Sequence, residues 1–153
     1  MNAETSTHDV AHAQKILVAV DGSSNSTNAL NQAIALAQPL GASITLITVI
    51  DMYIESMSVA VDMEEELSRE ARTVLDDDKA LVESAGVTCA DTIVHMGGEP
   101  HAFIVDEAKA HHVDLIVVGS HGRTGLSRLL HGSVSESVIG HAPCPVLVVP
   151  SSE

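Results

Sequence analysis

Five segments of strand length recur along the chain, at 15–20, 44–50, 88–96, 115–118 and 146–149, most of them apolar runs. The first, Ile16-Leu17-Val18-Ala19-Val20, is near-continuous rather than alternating, which is how a strand covered on both faces reads. Between the runs, the spacing of apolar residues changes to three and four. Ala29, Leu30, Ala33, Ile34, Ala37 and Leu40 fall on one helical face, with serines and Asn25 as cap candidates before it and Pro39 and Gly41 closing it. Leu67, Ala71, Val74, Leu75, Val82 and Ala85 form a second stripe over about 62–85, and Gly86 is a good C-terminal stop. Pro100 starts a third helix that runs to about His111, and Ser133 a fourth that runs to Ile139. Pro143 and Pro145 flank Cys144 and force an extended entry to the last strand. Strands alternating with helices predict an α/β chain: a doubly wound, five-stranded parallel sheet with right-handed crossovers, one Rossmann-like domain over 15–150.

The stretches outside those elements carry less pattern. Residues 1–14 are polar, lack the apolar core of a signal peptide and read as a flexible tail. His8 and His12 stand at i, i+4 spacing there, but a metal site needs an ordered helix and more ligands. Residues 51–61 show no periodicity and are expected to form a mobile loop. The acid runs Glu64-Glu65-Glu66 and Asp76-Asp77-Asp78 fan out around the second helix instead of converging, so they read as a solvated face.

Charge and composition remove several function classes. A net charge of −14 opposes binding to a phosphate backbone, and Tyr53 and Phe103 are the only aromatics, too few for a base-stacking platform. Nucleic acid is excluded as a partner on those grounds. Cys89 and Cys144 are too few and too far apart for a disulfide framework or a metal motif, and they suit a reducing compartment. No apolar run reaches membrane-span length. A cytoplasmic protein without membrane insertion is the expectation.

Candidate chemistry concentrates after the fourth strand. Leu115-Ile116-Val117-Val118 ends on Gly119, and Gly122 and Gly132 bracket a loop that leads into Ser133. Glycines there let the backbone turn with φ > 0, point amides inward and admit a ligand closely. The helix start at Ser133 supplies partial positive charge for an anion. Ser133-Val134-Ser135-Glu136 also fits a capping box, in which the serine serves only the helix. Local charge favours the phosphate reading: from 119 to 141, Arg123 and Arg128 stand against Glu136, a formal +1 on a chain of −14. Asp21 ends the first strand as Gly119 ends the fourth. If those strands are neighbours, both face the crevice where open α/β sheets bind ligands.

Val18-Ala19-Val20-Asp21-Gly22-Ser23, His95-Met96-Gly97 before Glu99-Pro100, Gly119-Ser120-His121-Gly122-Arg123, Gly132-Ser133-Val134-Ser135 and Ala142-Pro143-Cys144-Pro145-Val146 together resemble the universal stress protein family. The likeness runs over about 15–150, and its glycine pattern resembles that of the ATP-binding members. It implies the strand order 3-2-1-4-5. It also implies that Asp21 lies near the ribose and phosphates, that Ala19 and Val49 flank the adenine, and that Val118 lies below it. By the same likeness Gly119, Gly122 and Gly132 wrap the phosphates, Ser133 and Ser135 donate hydroxyl bonds, and Val20, His121, Arg123 and Val134 complete the site. The family often dimerises through its last strand, here Val146–Val149. Ser137 and Gly140 depart from the pattern, standing where many relatives carry basic residues.

The leading functional reading is a nucleotide-dependent regulatory dimer of the stress response. It would bind ATP (or ADP or AMP), with Mg2+ held through the phosphates. A slow ATPase or nucleotidyl-transfer enzyme is the second reading. Against it, the chain lacks a Gly-x-x-x-x-Gly-Lys-[Ser/Thr] loop, although His121 and His131 flank the glycine loop. The third is a partner-binding dimer that holds no nucleotide.

Overall fold

The structure, a computed structural model, describes residues 9–50, 60–120 and 133–151. The described elements, in order, are β1 (Lys15–Ala19), α1 (Ser24–Leu40), β2 (Ser43–Ile50), α2 (Ala60–Ser84), β3 (Cys89–Met96), α3 (Pro100–Ala110), β4 (Leu115–Gly119), α4 (Ser133–His141) and β5 (Val146–Val149). The five strands form one parallel sheet in the order β3-β2-β1-β4-β5. Parallel neighbours need crossovers, and the helices supply them while covering both faces.

Alternation along each strand divides the core in two. Ile16 and Val18 of β1 join Ile44, Leu46 and Val117 beneath α1 and α2, against Leu30, Ile34, Leu75 and Val82. Leu17 points the other way and packs with Ile47, Ile116 and Val118 beneath α3 and α4, against Ile104, Ala108 and Val138. The central strands β1 and β4 are apolar almost throughout because they serve both clusters, whereas the edge strand β3 carries Asp91, Thr92 and His95. A fully buried Leu or Ile of this kind contributes about 1.5–3 kcal/mol by leaving water.

The tail, the start of α2 and the end of α4 differ from the sequence expectation, and α1 ends where it was expected to. The tail was expected to extend through Gln14, but the chain is held from Asp9. The Asp9 carboxylate accepts from Ala11 N and caps a 3-10 turn at Val10–His12. Ala13 is buried, and Asp114 Oδ2 accepts from both Gln14 N (2.9 Å) and Lys15 N (3.0 Å). His12 Nδ1 meets Asp9 Oδ2 at 2.7 Å, so its observed partner is a carboxylate. Helix α1 runs through Pro39 to Leu40; Pro39 and Ala35 are both exposed, so the carbonyl freed by the missing N–H faces water. Its stop is Gly41, with φ +63° and an amide that reaches back to Ala37 and Gln38. Helix α4 continues past Ile139 to His141, where Ala142 N donates to Val138 O at 2.8 Å and His141 Nδ1 to Ser137 O at 2.8 Å. The 51–59 part of the expected loop lies outside the described residues; Ala60 and Val61 already belong to α2. Among the described residues, no helix is long and apolar enough to cross a membrane.

Candidate functional site

Pairing of β1 with β4, Val18 opposite Val117, places the carboxyl ends of the two strands side by side. At the β1 end, Asp21 Oδ1 accepts from Ser23 N at 2.9 Å, and Ser23 Oγ in turn accepts from Ser26 N at 3.1 Å. The cap of α1 is therefore Ser23, and Asp21 sets the turn before it. Oδ2 of Asp21 makes no hydrogen bond among the described residues, which leaves a charged acceptor at the strand end. Gly22 has φ +80°, and a Cβ there would meet Val74 Cγ2 of α2 at 3.0 Å, so α2 closes over this turn.

One helical turn beyond Val74 lies Asp78. Burial pushes its carboxyl up to about 6, and the charges of Asp77 and Asp21 add to the effect. Asp76 and Asp77 are exposed, as expected of a solvated face, whereas Asp78 is turned partly inward. Spacing alone could have found it: 74, 78 and 82 repeat every four residues along the apolar stripe.

At the β4 end, Gly119 pairs with Val149, and Ser120 N donates to Val149 O at 2.8 Å. The space a Cβ at residue 119 would take is filled from the α1 side by Asn25, whose Nδ2 lies 2.5 Å from that position. The missing side chain therefore lets the first turn of α1 meet the strand end. Ala19 and Val49 pack at the margin of the α3/α4 cluster beside buried Val118. Val20 points the opposite way into the α1/α2 core, so it offers a ligand only its backbone. Ser133 opens α4, Val134 is exposed and Ser135 is buried. His121, Gly122, Arg123 and Gly132 lie outside the described residues.

Other candidates resolve more simply. Both cysteines are free thiols, and burial pushes Cys144 up to about 11, which suits a small apolar core residue. No three His, Cys, Asp or Glu side chains among the described residues are grouped to hold a metal.

Comparison with known proteins decides the family. The chain matches the pattern of the universal stress protein family over residues 12–150. This chain belongs to that family. As a universal stress protein it is 35% identical over 144 residues to a Staphylococcus aureus (strain USA300) protein named for the same family, covering 92% of this chain and 86% of the relative. Among solved structures, the protein MJ0577 superposes with a TM-score of 0.83 at 34% identity, covering 93% of this chain and 99% of that one. A universal stress protein in complex with cAMP is similar with a TM-score of 0.70 at 25% identity, covering 92% and 99%. The strand order 3-2-1-4-5 and the doubly wound α/β class are those of the family.

Proposed function

We propose that this universal stress protein is a regulatory dimer that binds an adenine nucleotide at the carboxyl edge of β1 and β4. The adjacency of those strands carries the reading. It sets the Asp21 carboxylate next to the end of β4, from which the chain leads through the glycine loop to the start of α4. The residues fit such a ligand. Asp21 offers an acceptor to ribose hydroxyls, Ala19, Val49 and Val118 offer an apolar wall to the base, and the amides at the α4 start offer partial positive charge to phosphates. A family member of similar fold in complex with cAMP supports an adenine ligand.

ATP, ADP or AMP would serve, with Mg2+ bound through the phosphates. The ion would neutralise phosphate charge beside Asp21 and Asp78, where a bare polyanion would meet two carboxylates. The dimer would form through β5. That strand is a sheet edge, and Leu147 and Val149 border a groove of about 300 Å3 shared with Asn28 and Gln32 of α1. The cytoplasm, with its nucleotide pool, is the compartment this reading requires. Denaturing freshly purified protein and identifying released small molecules tests the proposal. An adenine nucleotide is the expected product, and protein that neither releases nor rebinds one contradicts it.

A further inference from the structure

Between β3 and α3 sits a polar cluster. His95 Nε2 lies 3.0 Å from Glu107 Oε1, and His111 Nε2 lies 3.0 Å from Glu107 Oε2. A carboxylate only accepts, so both imidazoles present an N–H from Nε2 to it. The His95 ring stacks on Phe103 with centroids 4.3 Å apart and planes at 20°. Phe103 is itself wedged beneath the β3–α3 turn, where a Cβ on Gly98 would meet it at 2.6 Å. The ring of His95 is thus fixed in position, and in its neutral form the proton sits on Nε2. Its Nδ1 makes no hydrogen bond among the described residues, and the side chain keeps 29% of its surface exposed.

Strand register gives the neighbour of His95. His95 pairs directly with Val49, and paired residues of parallel strands project to the same face of the sheet. That face also carries Ala19 and Val118. Resting on the nucleotide reading above, we propose that His95 is a specificity-determining residue at the outer end of the base pocket. Its Nδ1 lone pair accepts a hydrogen bond from the exocyclic amine at C6 of adenine. A purine with a carbonyl at C6 would turn an acceptor toward that lone pair and lose the bond. Glu107 acts at one remove: by accepting a hydrogen bond from Nε2–H it holds the proton of the neutral ring on Nε2 and leaves Nδ1 an acceptor.

The test is the ratio of affinities for ATP and ITP, which differ only at C6 and N1 of the base, measured by calorimetry on nucleotide-free protein. Wild type should prefer ATP, and folded His95→Val should shrink that preference about three- to tenfold, the worth of one hydrogen bond. Should His95→Val fail to fold, Glu107→Leu carries the same readout, because an unfixed ring can place its proton on Nδ1 and become a donor. An unchanged ATP/ITP ratio in the folded variant overturns the inference while leaving the site intact. Wild-type protein that binds neither triphosphate overturns the nucleotide reading itself, and this inference with it.

Discussion

The amide of Asn25 occupies the place that a side chain on Gly119 would claim. A Cβ at 119 would stand 2.5 Å from Asn25 Nδ2 and 3.1 Å from its Cγ. This contact joins the first turn of α1 to the end of β4 across the mouth of the crevice, so glycine at 119 is required by the fold itself. Gly119→Ala is expected to destabilise the protein by about 1–3 kcal/mol through overpacking. Urea unfolding checks it, and the double variant Gly119→Ala/Asn25→Ala should recover most of the loss.

Asp78 predicts a pH effect with a definite sign. Its folded value of about 6 lies above the ordinary 3.8, so the folded state holds the proton more tightly than the unfolded chain does. The neutral form dominates in both states below about pH 4. Stability from this group then falls as pH rises, and levels off above about pH 6. The full shift corresponds to about 3 kcal/mol, reduced to about 1 kcal/mol because the carboxyl is only half-buried and solvent screens it. Asp78→Asn removes the titration. Relative to wild type, that variant should gain about 1 kcal/mol between pH 4 and pH 7.5 in chemical denaturation, and a pH-independent difference contradicts the assignment.

The amino-terminal segment is tied down by one carboxylate. Asp114 Oδ2 accepts from Gln14 and Lys15 amides at the start of β1. Asp114→Ala leaves both amides without that charged acceptor, at a cost of about 2 kcal/mol. Hydrogen exchange should speed up first at Gln14 and Lys15, with Ile116 in the sheet centre least affected. Uniform acceleration across the sheet would mean that Asp114 supports the whole fold rather than this junction.

Hydrophobic spacing made the five strands, the four helices and the separation of Asp21 and Gly119 onto two strand ends legible in the chain. Strand neighbours were not legible from residues, since four of the five runs are similarly apolar and their pairing was open; the order came from family likeness. The side chains that the sequence reading missed all act across elements. Asn25 read as a cap candidate, although its contact is with β4. Asp78 read as one of three solvated acids, although helical spacing sets it on the stripe with Val74 and Val82. His95, Phe103, Glu107 and His111 are scattered over β3 and α3 and meet only when the helix folds back on the strand. Gln14 read as tail because its anchor, Asp114, is 100 residues away.

The central claim is that backbone amides of the glycine loop, rather than a lysine, hold the phosphates of an adenine nucleotide beside Asp21. Calorimetric titration of stripped protein with Mg-ATP, wild type against Gly122→Val, tests it most directly. The account predicts saturable binding by wild type and an affinity lower by about thirtyfold or more in the folded variant, from one or two lost charge-assisted amide bonds. Equal affinity in wild type and folded Gly122→Val, or no binding by wild type, contradicts it.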